Sequence, residues 1–165
     1  MPEFSVNTNR FDPYKNIRFR VKWDGKLIPG IDYVSGLFWN AQVVTYREGG
    51  SPNQFVIAPA LTTFDPIVLS RCRTHDTEFE NWAALVWTFG SSAVQLNEMR
   101  KNIVISLLNE ADQEVMAFNI YRCWPSRYQP IGVLDSNHTS VAIESITLQH
   151  EGFQRDKTVV EPKQP

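Results

Sequence analysis

Cysteine is nearly absent from this sequence. Only Cys72 and Cys123 occur among 165 residues, far apart, so a disulfide framework is excluded and two reduced thiols are the expectation. Histidine is also scarce, with only His75, His138 and His150. A metal centre built on closely spaced ligands therefore has little to draw on. No charge of one sign dominates: 16 Lys and Arg face 18 Asp and Glu, a formal net charge of −2. A dedicated nucleic-acid binder would show a basic excess, so no specific nucleic-acid partner is expected. No apolar run approaches the ~20 residues of a membrane span, so no membrane anchor is expected. The opening "MPEFSVNTNRFDPYKN" has no apolar core of a secretory signal, and assembly in the cytoplasm is the corresponding expectation. Internal repeats and low-complexity segments are missing too. What is present is 42% hydrophobic and 12% aromatic residues, enough for a packed core in one compact domain over residues 1–165. A polar, proline-bearing tail from about residue 157 is expected to fray.

Most of the periodicity is that of strands. In "NIRFRVKWDGK", Ile17, Phe19, Val21 and Trp23 alternate with Arg18, Arg20, Lys22 and Asp24, which predicts a half-buried strand with one wet face. Asp24-Gly25 supplies the turn after it. "LIPGIDYVSGL" predicts short extended pieces around Pro29 and Gly30. Strands are predicted at Ala41 to Tyr46, from Phe55 to Ala58, and from Pro66 through "PIVLSRC". The first two are separated by a loop, Glu48-Gly49-Gly50-Ser51-Pro52-Asn53, whose residues cannot continue a strand. "KNIVISLLNEADQEVMAFNIYRCW" reads as two strands about a turn at Asn109 to Gln113. "TSVAIESITLQHEG" gives a last strand, with Val141, Ile143 and Ser145 on one face and Ala142, Glu144 and Ile146 on the other. Residues 77–89 alone change period. Phe79, Trp82, Ala83 and Val86 fall at i, i+3, i+4 and i+7, the stripe of an amphipathic helix, with Gly90 placed to end it. The fold class is therefore mainly β: a two-sheet antiparallel β-barrel or sandwich with one packed α-helix.

Chemistry concentrates in "RCRTHDTEFENW", residues 71–82, which holds Cys72, His75, Asp76, Glu78 and Glu80. As a zinc half-site, Cys72 and His75 have C-x2-H spacing, but Cys123, His138 and His150 are isolated. As a nucleophile pair, Cys72 lies between Arg71 and Arg73, cations that lower a thiol pKa when they face it. The helix-start reading explains more of the residues. Asp76 or Thr77 stands where an N-cap belongs, Thr77 and Glu80 have the spacing of a capping box, and the carboxylates favour the helix N-terminus. Elsewhere, "GSS" at 90–92 lacks a hydrolase elbow, and Gly49-Gly50 is not followed by the G-K-[ST] of a phosphate loop. Asn137-His138-Thr139 matches a glycosylation acceptor only by chance. Trp23, Trp82, Trp87 and Trp124 are read as core or interface, and Trp39 as a surface contact. No catalytic set, metal site or cofactor site emerges. A monomeric small-molecule-binding β-barrel, or a hydrolase using Cys72 and His75, are the rival readings.

Several stretches occur in a distinctive order: "NRFDPYKNIRFRVKWDGK", "VSGL", "VVTYREGG", "THDTEFENWA", "IYRCWPSRY" and "VAIESITLQHEGFQRD". From about Asn9 to Asp156 the chain thereby resembles the inner tube proteins of contractile injection systems. That family comprises contractile-tail phage tubes, tubes of extracellular phage-tail-like particles and, more distantly, the type VI secretion tube. The resemblance implies a non-enzymatic structural subunit with no cofactor. Six copies would form a ring, and rings would stack into a hollow tube driven through an envelope by sheath contraction. Implied partners are further copies of the chain, the sheath protein, and baseplate and spike proteins, with cargo in the lumen as a further candidate. The particle would be released or remain attached to a cell. The apolar stretch from Ser51 to Cys72 departs from the family pattern, so both a repeated tube subunit and a minor, baseplate-proximal one fit, the repeated one being favoured. By the same resemblance, Tyr46, Arg47, Glu48, Gly49 and Gly50 form a hairpin tip reaching towards the next ring.

Overall fold

A computed structural model describes residues 14–50, 53–88, 96–160 and 162. Among these residues ten strands and two helices follow one another: β1 (Phe19–Trp23), β2 (Lys26–Ile28), β3 (Ile31–Val34), β4 (Trp39–Tyr46), β5 (Val56–Phe64), β6 (Ile67–Cys72), α1 (Glu78–Trp87), α2 (Leu96–Met99), β7 (Lys101–Leu108), β8 (Glu114–Gln129), β9 (Ile143–Gln149) and β10 (Gly152–Asp156). The mainly β expectation holds, with two antiparallel sheets. One has eight strands in the order β2-β1-β7-β8-β9-β6-β3, with β10 added to β8, and the other contains only β4 and β5. The order of the large sheet is open, with β2 and β3 at its ends. α2, a single helical turn, was not foreseen; four residues are too few to carry a periodic signal.

The local chemistry accounts for the connections. Asp24 and Gly25 both have positive φ, 49° and 75°, the backbone of a two-residue turn whose twist matches the flanking strands. Between β7 and β8, the Asn109 side-chain oxygen accepts the backbone N–H groups of Ala111 and Gln113, and Asp112 takes φ 58°.

β8 joins the two halves of the large sheet. Its first part pairs with β7 and β10, and its second part with β9. The change of partner occurs beside an irregularity: Ile103 opposes Ile120, but Lys101 opposes Cys123. The extra residue bends the strand. Arg122 takes φ 53° there, and the Asn102 side-chain oxygen accepts its N–H at 3.0 Å.

This bend lets distant strands share one core. Val21 and Trp23 of β1, Leu69 of β6, Ile103 and Ile105 of β7, Ile120 of β8, and Ile146 and Leu148 of β9 form a single buried cluster. Helix α1 closes it with Phe79 and Trp82. The Trp82 indole lies 4.9 Å from Trp23 and donates to the Met99 carbonyl at 2.8 Å. Burying an aromatic indole demands such a partner for its N–H. Trp23 and Trp82 are thus core residues, as the pattern predicts, whereas Trp87 stands 91% exposed.

Candidate functional site

The cluster at 71–82 assembles into an ion network. Strand alternation turns Arg71 inward and Cys72 outward. The Arg71 Nε donates to Glu144 Oε2 at 2.9 Å, and its two terminal nitrogens donate to the Asp76 side chain and carbonyl, also at 2.9 Å. Its guanidinium carbon lies 4.2 Å above the centre of the Phe79 ring. The second Glu144 oxygen accepts from Arg73 and from the Tyr128 hydroxyl, both at 2.6 Å. Arg71 and Glu144 are 1% and 0% exposed. Burial, followed by the bond to Glu144, raises the Tyr128 pKa. One carboxylate therefore ties β6, β8 and β9 to the start of α1.

Both arginine side chains are engaged with Glu144. The Cys72 thiol is exposed, 3.6 Å from Asp32 Oδ2, and His75 is exposed. Among the described residues no three His, Cys, Asp or Glu side chains gather to hold a metal ion. Cys123 is buried, and burial pushes its pKa up to about 12. A thiol-specific reagent at pH 8 is expected to modify Cys72 alone in the folded subunit and both thiols after denaturation, since the thiolate is the reacting form. Two rapid equivalents from the folded subunit would contradict the burial of Cys123.

The helix start needs a correction. Thr77 occupies the N-cap position but makes no capping side-chain hydrogen bond; its hydroxyl accepts from the Asn81 side chain instead. Glu80 is the distant partner of Arg73, at 3.9 Å. No Thr77–Glu80 box forms, because φ −99° and ψ 11° at Thr77 are not the extended backbone that points a cap side chain at the helix. Asp76 does the work one residue earlier. Its Oδ1 accepts the Glu78 backbone N–H at 3.0 Å. That bond, then the Arg71 guanidinium, lowers the Asp76 pKa. A lowered carboxylate pKa stabilises the fold above its unfolded value near 3.8 and loses that contribution as pH falls through the folded value. Asp76→Ala is therefore expected to cost about 1–2 kcal/mol at pH 7 and Thr77→Ala only a few tenths. The Asp76 penalty should shrink in acid. Equal losses in chemical denaturation would overturn this assignment.

The feature that stands apart from the core is β4 and β5. Among the described residues they pair only with each other, and every residue of β4 is exposed. Val43 and Ile57 are 63% and 68% exposed, and Trp39, Leu61 and Phe55 are similarly open. An isolated two-stranded ribbon is at best marginally stable in water, and apolar edges of this kind invite pairing with another chain. The base of this arm is nevertheless pinned. Asn40 donates to Asp65 Oδ1 at 2.8 Å, Asp65 N–H donates to the Phe38 carbonyl, and His150 Nε2 lies 2.9 Å from the Asp65 carbonyl. Phe64, at the end of β5, packs against His150 and Phe153. At the far end lie Tyr46, Arg47, Glu48, Gly49 and Gly50, all exposed. Neither glycine has left-handed backbone, and a Cβ on either would meet open space. Gly90, Ser51 and Pro52 lie outside the described residues.

Of the apolar arm residues, Trp39 was singled out from sequence, as a surface contact, and it is exposed; a signal for the others existed. Between Trp39 and Phe64 the only charged residues are Arg47 and Glu48. Glu144 and Arg71 were missed because their 73-residue separation leaves no local trace.

Residues 15–154 match the family described as T4-like virus tail tube protein gp19. Among solved structures, the fold is similar to one from the sheath–tube complex of the extracellular contractile injection system PVC, in its extended state. The TM-score is 0.74 and the identity 23%, over 90% of this chain and 94% of that one. It is similar also to one from the tube-terminating cap of the anti-feeding prophage, at TM-score 0.74 and 23% identity over 94% and 99% of the two chains. The fold of Hcp1 from Flavobacterium johnsoniae is more distant, at 0.52 and 13% over 89% and 99%. No curated protein matches the sequence. With a family match that spans all the strands from β1 to β9, the chain belongs to the T4-like virus tail tube protein family.

Proposed function

We propose that the chain is a structural subunit, and not a catalyst, of the inner tube of a contractile injection system. Six copies close into a ring, rings stack into a rigid hollow tube, and contraction of a surrounding sheath drives the tube through a target envelope. The repeated tube subunit is the favoured role. Its partners are further copies of itself, the sheath protein, and baseplate and spike proteins, with cargo carried in the lumen. Assembly takes place in the cytoplasm.

The observation that carries this reading is the apolar β4–β5 arm of a tail tube family member. A ribbon exposed on both faces and unpaired on both edges is unfavourable in a lone subunit. Against a second copy it becomes buried area and new strand pairing. The folds that the chain resembles come from a sheath–tube complex, a tube cap and a six-fold symmetrised baseplate, which supports the ring number and the sheath as partner.

Electron microscopy of the purified protein tests the proposal. Rings or rods with a central hole are expected, and a monodisperse monomer at high concentration would overturn it. The tip offers a finer test. Arg47 and Glu48 put opposite charges side by side at the arm's end, where repetition around a ring multiplies an interaction that is worth only ~0–1 kcal/mol per exposed pair. Arg47→Glu with Glu48→Arg is expected to leave the circular dichroism spectrum unchanged and to shorten the rods. Rods of normal length would remove these charges from ring stacking.

A further inference from the structure

At the bend of β8, on the other side of Asn102 from the core, the structure forms an open pocket of about 360 Å³ lined by Asn97, Arg100, Asn102 and Arg122. Its chemistry is one-sided. Arginine has donors and no acceptor. The Asn102 side-chain oxygen accepts the Arg122 N–H, which turns that oxygen towards the backbone and leaves the two N–H groups of the amide for a ligand. Among the described residues Arg100 Nε is buried without a hydrogen-bond partner, while its Nη1 donates to Glu151 at 2.9 Å. Arg122 Nη1 lies 3.1 Å from the other oxygen of the same carboxylate. Among the described residues, Glu151 is the one carboxylate paired with these two guanidiniums.

We propose that this pocket binds a small oxyanion, a phosphate or a carboxylate, held between the Arg100 and Arg122 guanidiniums and the Asn102 amide. Planar guanidinium groups match the paired oxygens of such anions. The unusual backbone of Arg122 serves the same end. The φ of 53° costs free energy for a residue other than glycine or asparagine, and it sets the Arg122 side chain beside Arg100 at the bulge. The oxyanion can come from two sources: a free anion such as inorganic phosphate, or an Asp or Glu side chain of a second copy. The second source rests on the assembly proposed above; the first does not.

Inorganic phosphate, titrated into the dispersed full-length chain and followed by amide NMR shifts, tests the shared chemistry. Saturable shifts centred on residues 97–102 and 120–123 are expected. Asn97→Asp introduces a carboxylate into the pocket without touching the bulge, and should weaken binding at least tenfold. Arg122→Asn removes one guanidinium while keeping a residue tolerant of positive φ, and should do the same. No saturable shift at tens of millimolar phosphate would overturn the proposal, as would wild-type binding by the folded Asn97→Asp variant. Repeating the titration on assembled rods separates the sources. Binding retained there assigns the pocket to a free anion, and binding lost on assembly assigns it to a second copy's carboxylate. If no rods form, the assembly reading fails while the phosphate result on the dispersed chain stands.

Discussion

Lysine at both Val43 and Ile57 is expected to abolish rod formation while leaving the subunit folded. In the register of the arm, Val43 opposes Pro59 and Thr45 opposes Ile57, so Val43 and Ile57 are diagonal neighbours on one face of the ribbon. Both are more than three-fifths exposed, and neither belongs to the core cluster. Their replacement should therefore move the melting temperature little, as is usual for surface positions. If a second copy covers them, each contributes about 1.5–3 kcal/mol of apolar burial per contact. Losing both weakens each contact by roughly 10²- to 10⁴-fold, before the cost of burying an ammonium group is counted. Assembly followed by sedimentation and microscopy reads this directly. Rods at the wild-type protein concentration would show that this face of the arm is not an assembly surface. Unfolding of the variant would show that the arm stabilises its own subunit.

The largest stability loss is expected at Glu144. Glu144→Ala leaves Arg71 buried with only Asp76 as its anionic partner, and deprives Arg73 and Tyr128 of their shared acceptor. Breaking a buried ion pair on one side costs about 3–5 kcal/mol. Glu80→Ala is the control. Glu80 is more than half exposed and 3.9 Å from Arg73, so its loss should stay within about 0.5 kcal/mol. Replacing both members, with Arg71→Met and Glu144→Leu, should recover much of the loss, because no unpaired charge remains inside. Urea denaturation of the three variants provides the comparison. A Glu144→Ala cost no larger than that of Glu80→Ala would mean that the network contributes nothing to folding.

Local patterns in the chain settle what local forces settle. The alternation of Phe19, Val21 and Trp23 with charges leaves one way to place the strand, because a one-residue slip would bury Arg20 and Lys22. Phe79 and Trp82 recur on one helical face, and that face is the buried one. Asp24-Gly25 and Asn109–Gln113 carry their own turn geometry. The order of motifs was enough to point to the tail tube family.

Three things were decided only in the folded chain, each because it depends on residues distant in sequence. Alternation in β9 separates Ile143 from Glu144 and Ile146, but does not say which face is buried. The face carrying a carboxylate goes inside, because Arg71 and Tyr128 arrive from other strands, and Arg73 from just beyond β6, to hold it. Capping chemistry was visible at Asp76 and Thr77, yet the choice of Asp76 follows from the Arg71 guanidinium that orients it. The strands from Trp39 to Phe64 read as any apolar β-rich strands do. That they lie outside the core follows from the topology among the described residues, in which β6 is paired on both sides by β3 and β9 and β4 and β5 pair with each other.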